Sequence, residues 1–107
     1  MNQRTATPTA HIWLDERGRA WIDDTNVKVI EVVLDKLGYG WGADQIYEGY
    51  DRYLSLAQIH AAFSYYYDHQ AEFDTEIQRQ EQEYLRLRAQ DADSPIRQKL
   101  RQMGKIP

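Results

Sequence analysis

Titratable and nucleophilic side chains are plentiful in this chain, but their spacing assembles no reaction centre. The three histidines, His11, His60 and His69, include no pair four residues apart, and no carboxylate pair converges with them. Helical metal sites need ligands repeating on one face, so these read as surface or half-buried histidines. Gly38, Gly40 and Gly42 alternate without a strand before them. They read as helix caps and loop rather than a phosphate cradle. No serine has the strand-to-helix context of an exposed nucleophile. Asp23 and Asp24 fit a helix start, where the helix dipole stabilises negative charge. An acid, a base, a nucleophile and an electrophile cannot be brought together by spacing, so no enzyme and no cofactor is expected.

The tyrosines carry more information. Tyr47, Tyr50, Tyr53, Tyr65, Tyr66 and Tyr67 crowd two expected helices. Aromatic faces can stack on nucleic-acid bases or anchor a protein surface. Base stacking works with a basic groove, and here that groove is missing. Residues 43–70 hold Arg52 alone against Asp44, Glu48, Asp51 and Asp68. The formal net charge is −4, and only the tail, with Arg97, Lys99, Arg101 and Lys105 against Asp91 and Asp93, attracts phosphate. Core and protein interface are the expected roles of the tyrosines.

The 107 residues suffice for one domain. There is no cysteine, which excludes disulfides and thiolate metal sites. No apolar run reaches the length of a membrane span. A cytoplasmic location is the simplest expectation. Residues 1–10 are polar and read as a flexible arm.

Ile12-Trp13-Leu14 and Ala20-Trp21-Ile22 are short, aromatic and β-branched, with Asp15-Glu16-Arg17-Gly18-Arg19 between them. That pattern predicts a hairpin with a three-residue loop, Gly18 at the positive-φ position and Trp13 opposite Trp21. Asp23-Asp24-Thr25-Asn26 is read as the start of the first helix. Ile30, Val33, Leu34 and Leu37 follow at helical spacing, and Gly38-Tyr39-Gly40 ends it. A shorter helix is expected from Ala43 to Tyr50, with a turn at Asp51-Arg52-Tyr53.

Ser55-Leu56-Ala57-Gln58 is a capping box, with Leu54 and Ile59 placed as a hydrophobic staple. From there to Ser94 no Gly or Pro appears. Ile59, Phe63, Tyr66, Gln70, Phe73, Ile77, Gln80, Tyr84 and Leu87 recur at alternating steps of four and three, a heptad spacing. One helix over Leu56–Ala89 would be roughly 50 Å long. A small domain cannot cover that, so either the helix breaks near His69-Gln70 or its far half packs on another chain. The expected organisation is an arm over residues 1–10, a hairpin plus three helices over 11–70, a helical extension over 71–90 and a basic tail over 91–107. Ile96, Leu100 and Met103 in that tail could form a short amphipathic turn.

Three helices with a short turn before the third also fit a helix-turn-helix. The third helix would then present Gln58, His60 and Ser64 to DNA bases. No Arg or Lys lies on it before Arg79 to hold phosphates.

The order of these motifs resembles the family of domain of unknown function 433. Ala20-Trp21-Ile22-Asp23-Asp24-Thr25-Asn26-Val27 stands where that family has a Pro-x-Ile-x-Gly-Thr-Arg-Ile type motif. Gly40 to Leu54 stands where it has Gly-x-Ser-x-Glu-Glu-Ile-x-x-x-Tyr-Pro-x-Leu, one residue longer here. Leu54-Ser55-Leu56-Ala57-Gln58-Ile59-His60-Ala61-Ala62-Phe63-Ser64-Tyr65 stands against Leu-Thr-Leu-Glu-Asp-Ile-x-Ala-Ala-Leu-x-Tyr. The resemblance covers about His11 to Asp68. It implies a homeodomain-like three-helix fold and membership in a bacterial toxin–antitoxin pair of the VapB–VapC type, with a PIN-like nuclease as partner. Asp23, Asp24 and Asn26 replace the family's Arg, Gly and Arg at the corner, and Asp51 replaces its Pro.

The expected fold is therefore mainly α: an N-terminal β-hairpin, a homeodomain-like three-helix unit and a long C-terminal helix. The expected function is an antitoxin-like, protein-binding module that neutralises or scaffolds a nuclease. Phe73, Ile77, Tyr84, Leu87, Ile96, Leu100 and Met103 would bind the partner. The alternatives are a helix-turn-helix DNA-binding regulator reading through Gln58, His60 and Ser64, and a structural homodimer joined through the heptad stripe.

Overall fold

A computed structural model describes residues 4–92. Four strands come first: β1 (Thr5–Ala6), β2 (Ile12–Leu14), β3 (Ala20–Ile22) and β4 (Val27–Lys28). Four helices follow: α1 (Val29–Tyr39), α2 (Ala43–Gly49), α3 (Leu56–Asp68) and α4 (Gln70–Ala92). The chain divides into two compact units, one up to Gln70 and one from Ala71.

The strands form one antiparallel sheet in the order β1-β2-β3-β4. Its centre is the hairpin expected from the sequence. The Asp15 N–H donates to the Arg19 carbonyl at 3.0 Å, and the Gly18 N–H donates to the Asp15 carbonyl at 3.0 Å. Gly18 sits at φ 76°, where a side chain would be strained. The Asp15 carboxylate fixes the loop by accepting the N–H groups of Arg17 and Arg19, both at 2.9 Å. Trp13 pairs with Trp21 across the strands, their rings stacked 5.9 Å apart. Such aromatic cross-strand pairs stiffen a ribbon that three residues a side would hold poorly.

The mainly α expectation is corrected here: the molecule is an α+β arrangement with a four-stranded sheet. Two strands account for the difference. Thr5–Ala6, expected within a loose arm, pairs with Trp13 and Leu14. Val27–Lys28, expected inside a helix, pairs with Trp21 and Ile22. Asp23 to Asn26 is therefore the loop of a second hairpin and not a helix start. Asp23 and Asn26 take φ values of 39° and 65°, which closes that tight turn. The first helix begins instead after Lys28, whose N–H donates to the Glu31 carboxylate at 2.7 Å.

One face of the sheet meets the helices. Ile12, Ala20, Ile22 and Val27 are buried with Val29, Val32 and Val33 of α1, Ile46 of α2, and Ile59, Ala62, Tyr65 and Tyr66 of α3. Leu54 and Ile59, the expected staple, are both fully buried. The capping box forms as read. The Ser55 hydroxyl accepts the Gln58 N–H at 3.0 Å, and the Gln58 side-chain carbonyl accepts the Ser55 N–H at 2.8 Å. Gly40 caps α1 in the left-handed region, at φ 68°. Tyr50 ties α2 to α1, its hydroxyl donating to the Asp35 carboxylate at 2.9 Å. Burial, and then that carboxylate, push the Tyr50 pKa well above the ordinary phenol value.

The long helix is interrupted at His69, which leaves helical geometry with φ −129° and ψ 31°. Its N–H donates to the carbonyls of Tyr65 and Tyr66, and its ring Nδ1 also bonds the Tyr65 carbonyl at 3.0 Å. The nine-position stripe is thus divided between α3 and α4.

Candidate protein-binding interface

α4 runs 23 residues, and none of its described side chains is buried. Of the residues read as partner-binding, Phe73 and Ile77 are half-buried, while Tyr84 and Leu87 remain 60% and 53% exposed. Leu85, which the heptad spacing misses, is also 53% exposed. Glutamates one turn ahead of arginines stitch the helix. Glu76 pairs with Arg79 at 2.8 Å and Glu83 with Arg86 at 2.6 Å. The Arg79 bonds hold the Glu76 carboxyl below its ordinary range. Ile96, Leu100 and Met103 lie outside the described residues.

Of the residues read as facing DNA, His60 and Ser64 lie one turn apart on one face of α3, and Gln58 lies away from both. Their positions on α3 place His60 and Ser64 about 160° and about 120° around the helix from Gln58. Gln58 is also fully engaged. Its carbonyl caps its own helix, and its amide donates to the Asp23 carboxylate at 2.9 Å. His60 and Ser64 are exposed, with the His60 ring set edge-on to Phe63 at 6.1 Å.

Asp23 emerges as the hub of the corner, a role invisible in the sequence. Its carboxylate accepts Gln58 and bonds His11 Nδ1 at 2.8 Å. Its backbone N–H donates to the His11 carbonyl at 2.8 Å, and its carbonyl accepts Trp13 Nε1–H at 2.7 Å. Partial burial acts to raise its pKa. The bonds from Gln58 and His11, with the His11 charge, outweigh burial and hold it below the ordinary carboxylate range. Nearby, the Tyr53 hydroxyl donates to the Thr25 carbonyl at 2.7 Å and ties the α2–α3 turn to the same loop. That turn needs two consecutive left-handed residues, Asp51 and Arg52.

The outer face of the sheet carries the tryptophan pair under a cover of cations. Arg4 lies 4.3 Å over the Trp13 ring, and Lys28 and Arg19 lie 5.4 and 5.7 Å over Trp21. Arg4 is ion-paired with Asp24 and Arg19 with Asp15. These arginines are therefore balanced by local carboxylates, which leaves little attraction for phosphate. Among the described residues no three His, Asp or Glu side chains converge to hold a metal ion. Among them, too, no helix is long and apolar enough to cross a membrane.

Residues 17–66 match the family model described as "Protein of unknown function (DUF433)". The match runs from the β2–β3 loop into α3 and leaves α4 outside. No curated protein and no solved structure matches the chain.

Proposed function

We propose that this chain, of which residues 17–66 match the DUF433 family model, is a non-catalytic, cytoplasmic, antitoxin-type module that captures a PIN-like nuclease through α4. The observation behind this reading is a long helix that buries none of its described side chains yet exposes Tyr84, Leu85 and Leu87 by half or more. Its apolar positions offer the anchors that interfaces use. A DNA-reading role draws less support, since Gln58 is consumed by the corner and α3 lacks basic residues.

The test is affinity purification of the tagged full chain from its native host, beside a Tyr84→Glu/Leu87→Glu variant. Both side chains are exposed, so the fold should tolerate the change. A small, stoichiometric nuclease recovered with the parent and lost with the variant is the expected result. Equal recovery with both proteins would remove α4 from the interface.

A further inference from the structure

The seam of α4 has charged shoulders, and their sign bears on what can sit against it. From Phe73 the seam runs through Ile77, Gln80, Tyr84 and Leu87. At about 100° per residue, the positions bordering it are Asp74, Glu81 and Arg88 on one side and Glu76, Glu83 and Gln90 on the other. The shoulders therefore carry acidic groups at Asp74, Glu76, Glu81 and Glu83 against Arg88 alone. Arg79 and Arg86 pair with Glu76 and Glu83 from further round the helix, away from the seam. Glu83 keeps acceptor capacity beside its Arg86 bond, whereas Glu76 accepts Arg79 twice and the seam residue Gln80 at 3.2 Å, which leaves it about one further site.

The α4 of a second copy fits these shoulders poorly. Parallel self-pairing sets Glu76 against a second copy's Glu81, which offsets the attraction between Glu83 and a second copy's Arg88. Antiparallel self-pairing brings the Glu76–Glu83 shoulder against itself, which offsets the attraction between Asp74 and a second copy's Arg88 on the other shoulder. Gln80 in mid-seam adds no apolar contact to either. A partner with cations beside its apolar ridge gains at Glu76, Glu81 and Glu83.

We infer that α4 docks on a partner protein whose apolar ridge or groove is rimmed by lysine and arginine. The inference rests on α4 being the partner-binding element and adds the chemistry of the surface that receives it. A basic rim is also what a protein that handles nucleic-acid phosphates presents, which suits a nuclease.

The experiment titrates two synthetic three-heptad helical peptides into the full chain at low salt. Both carry leucine along the seam, one with lysine at every shoulder position and the other with glutamate. The lysine peptide is expected to bind at least about ten-fold more tightly, as a few modest ion pairs together supply. That preference should shrink with added salt and disappear in a Glu76→Lys/Glu81→Lys/Glu83→Lys variant. Equal affinity for the two peptides, or binding of neither, overturns the inference. So does a dimer of the free chain that Ile77→Glu dissociates, because the occupant is then a second copy. If the Tyr84→Glu/Leu87→Glu variant loses the native partner while the lysine triple variant keeps it, α4 remains the interface and only the basic rim is rejected. If neither variant loses it, the proposed function itself fails.

Discussion

Asp23 joins three stretches of chain that are far apart in sequence: the start of β2 through His11, the β3–β4 loop, and α3 through Gln58. Replacing it with alanine leaves the Gln58 amide and the His11 ring without their acceptor. Asp23→Ala is expected to cost about 1–2 kcal/mol, the scale of lost hydrogen bonds to a charged group at a half-exposed site. Urea unfolding followed by circular dichroism would measure it. Asp15 makes a second residue-scale case. Its carboxylate accepts Trp21 Nε1–H at 2.9 Å together with Arg19 and Arg17. The Trp21 bond first, and the arginine bonds against some opposing burial, hold its pKa well below the ordinary 3.8. A carboxyl depressed in the folded state contributes stability that is complete above its unfolded pKa. That contribution is lost as pH falls toward the folded one. Unfolding midpoints read by tryptophan fluorescence should therefore drop between about pH 4 and about pH 2, and less steeply in Asp15→Asn. An unchanged slope would mean another group sets the acid limit. The Asp23 hub was not legible beforehand. The sequence shows that Asp, His and Gln are present, but their meeting depends on left-handed backbone at His11 and Asp23, which no local pattern announces.

Elements were legible where local chemistry and tertiary demand agree. The hairpin register, Gly18, the Gly40 cap and the Ser55–Gln58 box all form as read. Each rests on contacts within a few residues. Gly40→Ala should destabilise the protein by about 1 kcal/mol, the usual penalty for a side chain at a left-handed cap. A thermal melt would show it, and an unshifted melt would mean the cap is dispensable. The misread elements are those decided at a distance. Asp-Asp-Thr-Asn suits a helix start and a tight loop equally well. Val27–Lys28 becomes a strand only because β3 lies beside it. Thr5–Ala6 has no alternating pattern, and it is ordered by β2. The break at His69 has no glycine or proline to mark it. At the break the His69 ring bonds the Tyr65 carbonyl and stacks on the Tyr65 ring at 4.1 Å, contacts that no local pattern announces.

At the scale of the molecule, the two units differ in what they bury. The unit up to Gln70 closes a core between its sheet and three helices, whereas α4 keeps its described apolar side chains at least partly in solvent. The heptad seam of α4 was visible in the spacing of Phe73, Ile77, Tyr84 and Leu87. Whether its own chain covered that seam was not, because spacing is the same for a core helix and a binding helix. The family match ends within α3, and the binding role of α4 rests on its exposure and charge. Backbone amide hydrogen exchange of the full chain, free and with its co-purified partner, tests that account most directly. Slowed exchange concentrated in α4, with the β-sheet and α1 unchanged, is the expected result. Protection confined to the exposed face of α3, with α4 exchanging as fast as in the free protein, would contradict it.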